Sequence, residues 1–173
     1  MALLGFGLLP ACTIWSADTL DDANRNFGWR PVYITPEEAY DIGSEEPRAF
    51  VDAITPIVFG DRLYVVDRLR GVHVIDNADP SAPVSLAFIR IPGVTTATVS
   101  EDRLYADNVG DIVTIDISDL ERVRVLDRET GAFGLAVGDF PEGEFGWFEC
   151  VDRDRGFVIE WEEAALDDPQ CRL

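Results

Sequence analysis

Lysine is missing from this chain. All 14 basic residues are Arg, against 33 Asp plus Glu, for a formal net charge of −19. A chain this poor in cations has no basic face with which to displace counterions from a phosphate backbone, so nucleic acid is excluded as a partner. Histidine is nearly missing too. His73 is the only one, with no Ser or Cys nucleophile pattern to form a triad and no Cys-x-x-Cys pattern to form a zinc site. No apolar run reaches the roughly 18–20 residues that span a bilayer as a mature helix. These deficits point to a protein with no cofactor and no metal.

What is present is a hydrophobic fraction of 47% in 173 residues, enough for a folded core. Arg in place of Lys fits GC-rich coding. The acidic excess suggests a surface kept hydrated in high salt, where self-repulsion is screened.

The N-terminus carries a short apolar stretch, residues 2–10 (ALLGFGLLP), ending at Ala11-Cys12. It has the length of a signal-peptide core. Leu9-Pro10-Ala11-Cys12 is similar to a bacterial lipobox, which implies lipidation at Cys12, a membrane partner and a place in the cell envelope, at the outer membrane or cell surface. The alternative is a buried N-terminal strand or helix that happens to hold a Cys. If Cys12 carries lipid, Cys150 and Cys171 remain as an even pair in an oxidising compartment, either bridged or two separate thiols.

Three segments follow: residues 1–12 as leader and lipobox, 13–50 as tether and short helix, and 51–173 as a β-rich unit. The tether, Asp- and Asn-rich, runs to about Arg30. Pro31-Val32-Tyr33-Ile34-Thr35 reads as a short strand. Thr35-Pro36-Glu37-Glu38 is a helix start, with a capping hydroxyl, Pro at the first helical position and Glu three residues after the cap. Gly43 and Pro47 keep that helix short.

From Ile57 the pattern is short β-rich runs between turn residues. It occurs twice. Asp61-Arg62-Leu63-Tyr64 returns as Asp102-Arg103-Leu104-Tyr105, and Ile75-Asp76-Asn77-Ala78-Asp79 returns as Ile115-Asp116-Ile117-Ser118-Asp119. One residue is lost between the paired strands, where residues 65–70 face residues 106–110. A period of about 40 residues with three or four strands is the size of a propeller blade, which stacks on a neighbour to bury its faces.

These residues resemble successive LVIVD repeats, found in bacterial cell-surface lipoproteins with β-propeller folds, over about residues 57–127. Pro31-Val32-Tyr33 with the following helix is similar to that family's pre-propeller segment, and residues 151–161 are similar to the strand pair of a later blade. The resemblance implies an all-β, partial propeller of two to three antiparallel blades and a non-catalytic lipoprotein of undefined role. A closed ring needs about four to eight blades. The two clear units therefore imply a fragment of a longer propeller, a ring completed by self-association through open blade edges, or an open stack.

Candidate chemistry is sparse. His73 alternates with Val72 and Val74 and reads as surface or inter-blade packing. Asp152-Arg153-Asp154-Arg155-Gly156 lacks the full ladder of a calcium loop and reads as a hairpin turn. The pairs Asp76/Asp79 and Asp116/Asp119 read as turn formers, although a rim of them offers a calcium-stabilised adhesion module as a third reading. Glu142, Glu144, Glu149 and Glu160 lie among Trp147, Phe148 and Trp161, the one cluster that pairs carboxylates with aromatics, as a glycoside hydrolase needs. The expectation is a non-catalytic binding or scaffolding lipoprotein with a protein or glycan partner; the runner-up is a carbohydrate-active hydrolase using this cluster.

Overall fold

The computed structural model describes residues 26–133, 140–141 and 143–173. The leader with Cys12, most of the tether, and Glu142 lie outside them. The described chain is all-β apart from one short α-helix and one 3₁₀ turn.

The strands are β1 (Phe27–Ile34), β2 (Gly43–Glu45), β3 (Ala53–Phe59), β4 (Arg62–Asp67), β5 (Gly71–Asp76), β6 (Val84–Arg90), β7 (Ala97–Ser100), β8 (Arg103–Asn108), β9 (Asp111–Asp116), β10 (Arg124–Glu129), β11 (Trp147–Phe148), β12 (Phe157–Ala165) and β13 (Cys171–Arg172). They form three sheets, ordered β2-β6-β5-β4-β3, β10-β9-β8-β7 and β12-β1-β11-β13. None closes on itself.

The first two sheets are the two repeats. Each opens with a two-residue hairpin at matching places, Gly60-Asp61 between Phe59 and Arg62, and Glu101-Asp102 between Ser100 and Arg103. The first loop residue has positive φ in both, +59° at Gly60 and +54° at Glu101. The Asp carbonyl then accepts the N–H that leaves the third strand, Asn77 to Asp61 at 2.8 Å and Ile117 to Asp102 at 2.9 Å. Each outer strand bulges one residue at the same position, skipping Leu86 in one and Leu126 in the other. The lost residue sits in the second hairpin: Arg68-Leu69-Arg70 joins β4 to β5, whereas only Val109-Gly110 joins β8 to β9.

The turn Asp residues have the expected task. Asp76 and Asp116 accept the N–H two residues on, from Ala78 at 2.9 Å and Ser118 at 3.0 Å. Asp79 and Asp119 do the same for Ser81 and Glu121, both at 3.0 Å. Among the described residues no group of three or more His, Cys, Asp or Glu is arranged to hold a metal.

Strand alternation assigns the faces. Tyr64, Val66, Val72, Val74 and Ile89 of the first repeat join Leu104, Ala106, Val113 and Ile115 of the second in one core. Each fully buried Val, Leu or Ile among them contributes ~1.5–3 kcal/mol. The opposite faces differ. In the first repeat β5 is buried on both sides, because residues 46–52 fold over His73 and Phe88. The Phe50 ring lies 4.1 Å from His73, and the Arg48 guanidinium lies 4.7 Å above Phe88. His73, 2% exposed, is thus neither on the surface nor between the repeats, as sequence suggested; its own chain's lead-in covers it.

In the second repeat β9 is buried on alternate residues only. The sheet's less covered positions match the inter-repeat face of the first: Ile112 for Val72, Thr114 for Val74, Asp127 for Ala87 and Glu129 for Ile89. Thr114, Asp127 and Glu129 stand where the first repeat has buried apolar side chains. One end of the two-sheet stack is covered by a strap and the other is made hydrophilic, as terminal repeats of stacked proteins are.

The third sheet takes in the short strand expected at residues 31–35 and starts it earlier, at Phe27. The tether ends by Phe27, since β1 begins there, and β1 pairs antiparallel with β12 from Phe27–Ala165 to Ile34–Phe157. On its other side β1 runs parallel to β11, through Trp29 and Phe148. The sheet is therefore no third copy of the repeat, and residues 151–161 are not a strand pair. The hairpin expected at Asp152–Gly156 is instead a 3₁₀ turn, Arg153–Arg155, within the connection that crosses from one side of β1 to the other. Gly156 is required there: its φ is +117°, and a Cβ would lie 2.2 Å from the Ile34 carbonyl oxygen.

Between β1 and β2 lies α1 (Pro36–Tyr40), with the full capping box between Thr35 and Glu38. The buried Asn108 donates to the Ala39 carbonyl at 3.0 Å, and Arg128, stacked 4.2 Å over Tyr40, donates to Asn108 at 2.7 Å and to Asp111 at 2.8 Å. Tyr40 also meets Phe157, at 5.8 Å. The helix thus joins the second repeat to the third sheet.

Candidate binding cleft between the third sheet and the first repeat

A cleft of about 380 Å³ separates the third sheet from the loops of the first repeat. Its size is that of small-molecule sites. One wall is Trp29, Ile159, Glu160 and Trp161. The other is Val51, Asp52, Arg68, Leu69, Arg70 and Thr95, with Phe140, Pro141 and Glu144 at the rim. A second depression of about 560 Å³ adjoins it, sharing Trp29 and Glu144 and continuing over Phe27, Phe145, Trp147 and Glu163.

The loop wall is tightly held. Arg68 N–H donates to the Asp52 carbonyl at 2.9 Å, Arg70 N–H to Asp67 at 3.0 Å, and Leu69 N–H to Val94 at 2.7 Å, while the Leu69 carbonyl accepts from Gly93 at 3.0 Å. These bonds hold Leu69 at a φ of +65°, unusual for a branched side chain. The Arg68 guanidinium pairs with Asp52 at 2.9 Å, and Arg70 donates to the Arg68 carbonyl at 3.0 Å.

Beneath that wall lies the one His. Asp67 accepts from Asp52 N–H at 2.7 Å, from Val51 N–H at 3.1 Å and contacts His73 Nε2 at 3.2 Å. Burial opposes ionisation of Asp67, but the bonds from Asp52, His73 and Val51 outweigh it and hold the carboxyl below the usual carboxylate range. The pair underpins residues 50–52 and therefore the cleft floor.

The opposite wall follows from strand pairing. Phe27, Trp29 and Pro31 share one face of β1; Trp161, opposite Pro31, and Glu163, opposite Trp29, share that face from β12. Phe148, opposite Trp29 on β11, is buried there and meets the Trp161 ring edge-on at 5.5 Å and 90°. Trp161 is thus fixed in orientation.

The acidic residues singled out in sequence are only partly brought together. Glu144 and Glu160 both border the cleft, but pairing with Val32 sets the Glu160 side chain on the sheet face opposite Trp161. Glu149 is held between Arg30 at 3.1 Å and Arg155 at 3.3 Å. Arg172 lies 5.6 Å over Trp147 on the far strand. Cys150 and Cys171 are joined in a disulfide that ties β13 beside β11, with Cα atoms 5.2 Å apart. Closing a loop of that length is worth about 3 kcal/mol in the chain-entropy account.

Phe27, Trp29, Arg68 and Arg70 were not singled out from sequence. Two signals were present: the alternation Phe27-Gly28-Trp29-Arg30-Pro31 inside the supposed tether, and the extra residue in the first repeat's hairpin. Fold and cleft together define an all-β protein of two stacked repeat sheets and a third sheet facing their loops. No protein-family model, curated protein or solved structure matches the chain, so the resemblance to LVIVD repeats expected from sequence gains no support from them.

Proposed function

We propose that this protein is an envelope-tethered, non-catalytic binding module of the LVIVD type, anchored through Cys12, with the cleft between its third sheet and first repeat as the binding site. The observation that carries the reading is the cleft itself: aromatic rings on a rigid sheet face a loop fixed by its own backbone bonds, the preorganisation that binding sites use. The propeller-type repeats supply the scaffold. Binding is favoured over hydrolysis because Glu149 is engaged by Arg30 and Arg155, and Glu160 lies on the sheet face opposite Trp161.

The test is cosedimentation of the purified full chain with isolated bacterial envelope fragments. Binding is expected, and Trp29→Ala or Arg70→Glu reduces it at least about tenfold, ~1.4 kcal/mol. Equal sedimentation of the variants would remove the cleft from the account, and turnover of envelope glycan would restore the hydrolase reading. For the anchor, Cys12→Ala is expected to leave the membrane fraction; an unchanged distribution refutes lipidation.

A further inference from the structure

The cleft and its neighbour form one groove, and the rings along it are evenly placed. Phe27 and Trp29 lie two residues apart on one strand face, a step of about 6.6–6.8 Å. Trp161, across and diagonal from Trp29, continues the row at a Cα spacing of roughly 7–8 Å. Phe27 is 56% exposed, and Trp29 and Trp161 are half-buried, so each ring keeps part of its surface accessible.

The polar groups lining this groove carry both signs. Arg68 and Arg70 are donors on the loop wall; Asp52, Glu144, Glu160 and Glu163 are acceptors. Hydroxyl groups, which donate and accept alike, match such a lining. A polyanion does not, since the groove has four carboxylates to two guanidiniums and the chain around it carries −19. The C–H faces of sugar rings, flat and weakly positive, suit the negative faces of indole and phenyl rings.

The two repeats supply a further argument. They agree in hairpins, Asp turns and bulge, and differ in the length of one loop. The longer loop is the one that faces the groove, and its added length brings Arg68 and Arg70 to the wall. In the second repeat the same turn, Val109-Gly110, carries no charged side chain and lines neither depression.

We propose that this groove binds an extended neutral saccharide, stacked on Phe27, Trp29 and Trp161 and hydrogen-bonded by the Arg68-Leu69-Arg70 loop. The proposal rests on the reading of the cleft as a binding site and names its ligand class.

The experiment titrates the full chain with cellohexaose, xylohexaose and chitohexaose, the disaccharide of each, and hexagalacturonate, read by tryptophan fluorescence and calorimetry. At least one neutral hexamer is expected to bind, about tenfold or more tighter than its disaccharide, and to compete with envelope fragments. Trp29→Ala and Trp161→Ala each weaken it about tenfold, the size of one aromatic stacking contact. Because Trp161 also packs on Phe148, Trp161→Phe serves beside it: the ring is retained, the fold melts as the parent does, and affinity falls only a few-fold. Equal or tighter binding of hexagalacturonate overturns the neutral class. Unchanged affinity in the Trp variants overturns the placement. If no neutral hexamer binds while envelope cosedimentation still depends on Trp29, the saccharide is refuted and the binding module stands; if that dependence is missing, both fall.

Discussion

Asp67 and Asp107 make the same contact in the two repeat sheets: each carboxylate, buried at the end of the second strand, takes the backbone N–H groups of the segment that enters the sheet. Asp67 holds Val51 and Asp52; Asp107 holds Thr95 and Thr96 at 2.8 and 2.7 Å and the Thr95 hydroxyl at 2.6 Å. Asp107→Ala leaves those donors without their acceptor and is expected to cost about 2–3 kcal/mol. Urea unfolding measures it, and a loss under ~0.5 kcal/mol would show that water replaces the carboxylate at no cost.

Glu101 occupies the hairpin position that Gly60 fills in the first repeat, with φ at +54°. A Cβ there is strained, and its side chain is exposed, so Glu101→Gly relieves strain without losing packing. The expected gain is ~0.5–1 kcal/mol, partly offset by the added freedom of glycine when unfolded. A lower thermal midpoint for the variant contradicts it.

The polar end of the stack is open to a gain-of-function test. Thr114→Val, Asp127→Ala and Glu129→Ile together place the first repeat's residues on the second repeat's uncovered face. The triple variant is expected to self-associate with concentration in sedimentation velocity while the parent does not, because an apolar sheet face then lies in water. A variant that sediments as the parent does would show that these residues are not what keeps the face solvated.

Acid stability has a definite sign. Asp116 is lowered to about 2 by the Ser118 hydroxyl, the Ser118 N–H and Arg124, in that order. A carboxyl whose folded pKa is depressed stabilises the fold above its unfolded value, about 3.9, and that contribution is lost as pH falls toward 2. Asp67 acts in the same direction. Asp116→Asn is therefore expected to flatten the stability profile between about pH 4 and pH 2 relative to the parent. Parallel profiles would mean that the Ser118 contacts persist in the unfolded chain or do not form.

The repeats were legible because their signals are local. The strand at Gly71–Asp76 carries its own alternation, the Asp turns are read from two or three residues, and the missing residue could be assigned to one hairpin by aligning its flanks. The third sheet was not legible. Phe27 finds Ala165, and Trp29 finds Phe148, across long stretches of chain in which no short-range pattern names the partner. The same distance hid the groove. Trp161 stood out as an aromatic beside acids, but its neighbours are Trp29 and Phe148 rather than Glu160, and strand pairing decides that. His73 was placed on the correct face by alternation; what covers it, Phe50, comes from a segment with no regular structure.

The pairing of β1 with β12 also sets an order of assembly. Each repeat sheet closes mostly through hairpins between consecutive strands, whereas β1 must wait for a strand made near the opposite limit of the described chain. Contacts so remote in sequence slow folding far more than they alter final stability. During synthesis the loop wall of Arg68 and Arg70 therefore exists before the row of rings that faces it. The groove is expected to form last, and a nascent chain halted before Phe157 lacks the strand that carries Trp161 and Glu163.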